Sequence, residues 1–443
     1  MPELVRQALA MQITKQVISG RSLRTRISWA RVASHLLMSI VCAAVPAAAQ
    51  RKADLSRLVV VGDSLSAGFQ SGSLLDRQQV HGYASLVASQ AKVPLVLPLI
   101  AAPGIPNVYE LVSPGPPPMI LPALGVSSGR DDFFVQPTDL AVPGANVQDA
   151  LTRRPDFPLD SLTDLVLGAP GLFAGVSRSQ VEWAEALVPT TIFVWLGNND
   201  ALTPATHGDA SLLTPVSDFE AAYAEVMNRM AATGATLVVA NIPDVASIAF
   251  LTPAEQVAAA VGAPLSAIGP VLGIGPGDFV TGDAFSQIHA ILSGAIAGPL
   301  PANLILDAAE VASIRSAVAD YNAIIAANAQ SHGAALVDIH ALMAELLAGG
   351  FVSGGQRLTL DFLGGLFSLD GVHPTNTGYA LVANKFIQAL NTQFAAGIPP
   401  VSVQQIKNSD PLVLPGVGHP AWALGHVGAE TAASVRDVIA GRR

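Results

Sequence analysis

An α/β fold, with a five-stranded parallel sheet between two layers of helices, is the architecture this 443-residue sequence predicts. Two observations carry the prediction. Five short apolar runs rich in β-branched residues stand at 58–61, 94–100, 191–196, 235–242 and 334–339, and stretches with helical spacing separate them. Continuous runs of this kind read as strands buried on both faces. Strands alternating with helices imply β-α-β units and hence parallel pairing. Composition agrees: 51% of residues are hydrophobic and 13% charged, enough apolar surface to offset chain entropy and exclude disorder.

Taken in order, residues 1–49 are set apart by charge. Six basic residues (Arg6, Lys15, Arg21, Arg24, Arg26, Arg31) face one acid, Glu3. An apolar run from Leu36 to Val45 follows, then Pro46 and Ala47-Ala48-Ala49 before Gln50. A positive start, a short apolar centre and a small-residue A-x-A site describe a secretory signal cleaved near Ala49. The run falls short of the roughly 20 residues a membrane span needs. Two variants stay open, Met11 as the true start and lipid attachment at Cys42, although Val41 is larger than the small residue expected before a lipidated cysteine. Export to the periplasm, the outer membrane or the medium is the expectation, with the mature body at 50–397.

Within that body two inserts stand out. Residues 101–130 hold Pro114, Pro116, Pro117 and Pro118 within five positions and predict no regular structure. Residues 246–310 are rich in Ala, Leu and Gly, with short helical patches. Long connections of this kind are often functional lids, and a lid is the expectation here. Between them the clearest helix begins at Ser217, whose hydroxyl and Glu220 predict a capping box. Phe219, Tyr223, Met227 and Met230 then share one face, and Gly234 ends it. Residues 398–443, with Pro399-Pro400 and further turn residues, read as a tail packed on the body.

Charge and cysteine content exclude several function classes. The chain carries a net charge of −10, and outside the basic start the balance is more acidic still. Such a body repels phosphate backbones, which argues against nucleic acid and against electrostatic docking on anionic lipid. One cysteine, Cys42, excludes a disulfide framework and a thiolate zinc cluster. No H-E-x-x-H or P-loop pattern appears, so neither a zincin nor a P-loop enzyme is supported. The expected partner is a small molecule, with at most transient contact at a lipid interface and no obligate protein partner.

Four segments could carry chemistry. The first strand ends in Gly62-Asp63-Ser64-Leu65. A Ser at the carboxyl end of a parallel strand, on a turn opening a helix, sits where α/β folds bind ligands; it could equally serve only as a cap. Near the other end, Asp370-Gly371-Val372-His373 places an Asp three residues before a His. That Asp can hold the Nδ1 proton and leave Nε2 free to take a proton from a hydroxyl, or simply cap the next helix. Gly197-Asn198-Asn199-Asp200 sets an Asn at the end of a strand, where its amide can point at a substrate oxygen. Gly144, in the turn before Asn146, would allow close approach of a backbone N–H. With the Ser64 N–H these make three donors around one oxyanion.

In this order the four pieces resemble the SGNH or GDSL hydrolases. The matching blocks are Gly62-Asp63-Ser64-Leu65, the Gly144 turn, Gly197-x-Asn199-Asp200 and Asp370-x-x-His373, with Asn241-Ile242-Pro243-Asp244 after the fourth apolar run. The run from Leu366 to Thr375 looks like the secreted bacterial esterase or lipase branch. The resemblance covers residues 55–392 apart from the inserts. It implies a flavodoxin-like three-layer sandwich, no metal, and ester hydrolysis. It assigns Ser64 as nucleophile, His373 as general base, Asp370 as its orienting carboxylate, and Gly144 and Asn199 as partners of Ser64 in the oxyanion hole. Size departs from the family pattern: 80 residues separate Ser64 from Gly144, and 174 separate Asn199 from His373.

Other candidates are weaker. Gly125-Val126-Ser127-Ser128-Gly129 matches G-x-S-x-G, but that elbow needs a strand before it and a helix after it, and prolines break its approach. His340, close to Asp338, is the best second dyad and otherwise a hydrogen-bonded core residue. The functional alternatives are a carbohydrate or cell-envelope acetylesterase, an acyltransferase using the same triad, and a non-catalytic binding module. The last would normally have lost Ser64 or His373.

Overall fold

Four of the apolar runs become the central sheet of the computed structural model, which describes residues 52–113 and 118–414. The strands are β1 (Leu58–Gly62), β2 (Thr191–Trp195), β3 (Thr236–Ala240) and β4 (Ala335–Val337). They lie side by side in sequence order, all parallel, with Val60 opposite Phe193 and Phe193 opposite Val238. Every residue of β1, β2 and β3 is buried, as strands covered on both faces must be.

The fifth run corrects the expectation. Residues 94–100 form no strand in this sheet. Pro94 and Pro98 each lack an N–H, so the segment cannot supply a ladder of donors. Residues 138–142 lie beside β1 instead: Val60 N–H donates to Thr138 O at 2.9 Å, and the N–H groups of Leu140 and Val142 reach Val60 O and Gly62 O at 2.9 and 3.1 Å. The chain thereby delivers Gly144 to the carboxyl end of β1.

Helices cover both faces. On one face α1 (Ser64–Ala67) follows β1 directly, and the helix Tyr83–Ala91 packs against a long C-terminal helix. On the other lie Val147–Thr152 and Gln180–Ala186. After β2 comes α2 (Asn198–His207), then α3 (Val216–Ala232) and α4 (Ala308–Ser331), which pack on each other. The last two are α5 (Ile339–Gly349) and α6 (Asn376–Phe394), the latter being the C-terminal partner of Tyr83–Ala91. Aromatic clusters mark the two interfaces: Tyr83 stacks on Phe386 at 4.3 Å on one side, and Phe219 on Tyr321 at 4.1 Å on the other.

Several local expectations shift. Helix α3 buries Phe219, Tyr223, Met227 and Met230, but it begins at Val216 after Pro215 and has no side-chain cap. Pro215 presets the entry to the helix, and Ser217 Oγ turns to Asp218 at 3.2 Å. Residues 101–130 do contain regular structure, a hairpin pairing Tyr109–Ser113 with Met119–Pro122. The second insert builds a small core of its own. An antiparallel sheet of Leu251–Pro253, Phe279–Thr281 and Ile305–Leu306 carries three short helices around Val257, Leu272, Val280 and Ile288. Among the described residues no single helix is long and apolar enough to cross a membrane.

The described part of the tail packs on the body. Asn384 and Asn391 bond the backbone of Val401 and Ile398, and Asp410 takes the N–H and hydroxyl of Thr377 at 2.7 Å each. The expected signal segment at 1–49, and with it Cys42, lies outside the described residues, as do residues 415–443 of the tail.

Candidate active site

Ser64 is held where β1 turns into α1. Asp63 precedes the helix in an extended conformation, and its Oδ1 accepts the Leu65 N–H at 3.0 Å. As the first helical residue, Ser64 has an N–H without a partner inside the helix. The turn is tight enough to need glycine: a Cβ on Gly62 would lie 2.3 Å from Ser66 Oγ.

The 309-residue separation in sequence closes to hydrogen-bond distance. His373 Nε2 lies 2.8 Å from Ser64 Oγ, and His373 Nδ1 lies 2.9 Å from Asp370 Oδ2. A carboxylate can only accept, so Nδ1 carries the proton and Nε2 presents its lone pair to the serine hydroxyl. All three side chains are buried, at 3%, 1% and 0% exposure, which keeps water from competing for these bonds.

Asp370 stays ionised despite its burial. Desolvation pushes its pKa up, but the charge of His373, the His373 hydrogen bonds and the Gly72 N–H outweigh it and hold the carboxyl below its ordinary value. Its Oδ1 takes the N–H groups of Val372 and His373 at 2.9 and 2.8 Å, and its Oδ2 takes the Gly72 N–H at 2.8 Å. Ser368 Oγ donates to the same carboxylate at 3.2 Å and accepts the Ser71 N–H at 2.9 Å. Phe69 packs on the imidazole with ring centroids 4.7 Å apart. The segment 69–73 thus braces the acid and the base together. Ser71, Gly72 and Ser368 were not foreseen in this role; the only sequence signal is that Ser71-Gly72 is a turn-forming pair.

Gly144 and Asn199 come together on the other side of the serine turn. Asn199, buried in the first turn of α2, donates one amide hydrogen to Ala145 O at 2.9 Å. Its second amide hydrogen is not needed for that bond. Gly144 has φ 80°, the left-handed region that favours glycine. Asp200 pins the two turns, accepting the Val147 N–H at 3.1 Å and the Thr214 hydroxyl at 2.8 Å. Burial pushes the pKa of Asp200 up to about 7.

Asn198 also had no expected role. Its Nδ2 donates to Asp63 Oδ2 at 2.8 Å, tying β2 to the serine turn. Burial raises the pKa of Asp63 to about 6 even so.

The other candidates do not assemble. Ser127 sits in a loop and donates to Ala101 O at 2.6 Å. His340 Nδ1 meets Ile242 O at 3.1 Å, while Asp338 caps α5 through the Ala341 N–H and accepts the Asn241 amide. Among the described residues no group of three or more His, Cys, Asp or Glu side chains is placed to hold a metal ion.

One cavity opens on the Ser64–His373 pair. It is narrow, with a volume of about 90 Å³, below the usual range of small-molecule sites. Its wall is aliphatic and aromatic, with Leu65, Trp195, Leu342, Leu366 and Phe367 among the lining residues. Among the described residues of the two inserts expected to form a lid, only Ile248 lines it. The wall comes instead from α5 and from the loop that leads to His373.

The family model for GDSL-like lipase/acylhydrolase matches residues 58–386. Among solved structures the chain is similar to LAE5, an alpha/beta hydrolase from the metagenome of Lake Arreo, Spain, with 15% identity, 77% of this chain and 97% of that one covered, and a TM-score of 0.35. It is similar also to an extracellular lipase from Streptomyces rimosus (15% identity, 76% and 98% covered, TM-score 0.33). A third is a variant of Axe2, an acetyl xylan esterase from Geobacillus stearothermophilus (12% identity, 77% and 96% covered, TM-score 0.34). No protein of curated function matches the chain.

Proposed function

Because this chain belongs to the GDSL-like lipase/acylhydrolase family, we propose that it is a serine carboxylic ester hydrolase acting on lipid-like acyl esters. The observation that carries the reading is the buried relay from Ser64 Oγ to His373 at 2.8 Å and on to Asp370 at 2.9 Å. Ser64 Oγ attacks the ester carbonyl carbon as His373 Nε2 takes its proton. The oxyanion is held by the N–H groups of Ser64 and Gly144 and by the Asn199 amide. His373 then returns the proton to the departing alcohol, leaving an acyl-enzyme. Water, deprotonated by His373, releases the acid and restores Ser64. Asp370 fixes the imidazole tautomer and stabilises the transient imidazolium.

The test is turnover of p-nitrophenyl esters by wild type and by Ser64→Ala. The variant is expected to lose several orders of magnitude in kcat. Asp370→Asn keeps the shape but misdirects the imidazole, and about 10⁴-fold in kcat is the expected loss. Full activity in a folded Ser64→Ala protein would overturn the reading.

We further propose that residues 1–49 are an export signal and that 50–397 form the hydrolase, with 398–443 a tail packed on it or trailing it. The basic start, the apolar centre and the Ala47-Ala48-Ala49 site support this. Expression of the full chain in a bacterium, fractionation and N-terminal sequencing test it: mature protein outside the cytoplasm, beginning near Gln50, is expected. An unprocessed cytoplasmic product would count against it.

A further inference from the structure

We infer that the first insert docks the protein on a membrane: Val112, Met119, Leu121, Leu124 and Val126 enter the surface of a bilayer of zwitterionic phospholipid. The inference concerns where the protein sits and stands apart from the ester hydrolase reading.

Between Glu110 and Arg130 the sequence holds no charged residue. In the hairpin of Tyr109–Ser113 with Met119–Pro122, Tyr109 and Ile120 are buried, while Val112, Met119 and Leu121 are each more than half exposed. Met119 and Leu121, two positions apart, share the outward face of their strand. Just beyond the hairpin, Leu124 is 96% and Val126 92% exposed. A single exposed leucine is ordinary. Five large apolar side chains left in water within one short segment are the mark of an interaction surface.

The loop that carries the last two is held from within. Asn107 Nδ2 donates to Ala123 O at 2.7 Å and to Gly125 O at 2.9 Å. The Ala123 N–H donates to Val108 O at 2.8 Å, and Ser127 Oγ donates to Ala101 O at 2.6 Å. The carbonyls on either side of Leu124 therefore already have a partner, which lowers the cost of taking this loop out of water.

The chemistry of the segment selects the occupant. Protein partners are anchored chiefly by Trp, Tyr and Arg, and here Tyr109 and Arg130 are both buried. Val, Met and Leu ask only for a hydrocarbon phase. The exposed charges that bound the segment are acids, Glu110 before it and Asp131 and Asp132 after it. Arg130 is turned inward, onto Ala169 O at 2.8 Å. Such a rim repels an anionic leaflet, and it can meet the ammonium group of a zwitterionic lipid while the apolar side chains reach the acyl boundary.

The experiment is flotation of the full chain with unilamellar vesicles of phosphatidylcholine, or of an equal mixture of phosphatidylcholine and phosphatidylglycerol. Wild type is expected to float with phosphatidylcholine and more weakly with the mixture, a difference that salt removes. Leu124→Ser/Val126→Ser is expected to keep the wild-type melting temperature and to lose about tenfold or more in binding. Val261→Ser/Val271→Ser, an exposed pair on the second insert, is expected to bind as wild type does. Leu124→Trp reports the site directly: its added emission is expected to shift to the blue on phosphatidylcholine and to be quenched by brominated acyl chains. Wild type that does not float, a Leu124→Ser/Val126→Ser protein that floats undiminished, preference for the anionic mixture, or an unshifted tryptophan overturns the inference. A dimer that the serine pair dissociates, with no flotation, overturns it as well and makes the segment a contact between copies. Binding alone is read, so each result holds whatever the protein hydrolyses.

Discussion

Ser64 and Asp63 are neighbours with different tasks. Ser64 faces the imidazole, while Asp63 holds the turn from beneath through Leu65 and Asn198. In the proposed mechanism the oxyanion donors would act only on charge that exists in the transition state. Asn199→Ala is therefore expected to cost about 10²–10³-fold in kcat with little change in KM. Steady-state kinetics on one ester would check it; a loss confined to KM would mean that Asn199 binds ground-state substrate instead. Asn198, one position earlier, donates to Asp63 and also lines the cavity beside Ser64.

At the scale of elements, the loop that carries Asp370 and His373 is braced by a segment distant in sequence. The turn at 69–73 holds Asp370 through the Gly72 N–H, and Gly72 has φ 73° with Tyr109 packed against its Cα. A Cβ there would lie 2.3 Å from Tyr109 Cε2. Gly72→Ala is expected to cost about 1–3 kcal/mol of stability through backbone strain. It should also lower kcat more than KM, since the brace moves with it. Urea unfolding and kinetics on the same sample measure both; unchanged stability would mean that the turn relaxes freely. The second insert contributes at this scale too, because Phe250 N–H bonds Gly371 O at 2.9 Å inside the His373 loop.

At the scale of the whole molecule, buried acids set the pH dependence. Burial raises the pKa of Asp63 to about 6, of Asp200 to about 7 and of Asp139 to about 8. In the unfolded chain each would ionise near 3.8. The folded protein therefore holds more protons than the unfolded one between those values, and stability falls as pH rises through that window. The melting temperature is expected to be lower at pH 8 than at pH 5. Asp139→Asn should shrink that difference, since an amide oxygen can still take the Ala141 N–H that Asp139 accepts at 3.1 Å. A melting temperature that is flat or rises over this range would contradict the assignment. Asp370 acts in the opposite sense: its lowered pKa adds stability above the ordinary carboxylate value, lost as pH falls through its folded one.

What the sequence alone determined was the set of parts that depend on local chemistry. Strands β1 to β4 were legible because a run buried on both faces must be apolar throughout. Ser64, Asp370 and His373 were legible because Asp-x-x-His on one loop needs only local geometry to make its bond, and the blocks appeared in a known order. The tertiary structure alone decided what depends on distant segments meeting. It placed 138–142 beside β1, since Pro94 and Pro98 deny the expected strand its donors. It brought 69–73 beneath Asp370, through bonds that span 298 residues and leave no periodic trace. The wall of the cavity came from α5, whose apolar spacing is that of any core helix until the fold sets one face against Ser64.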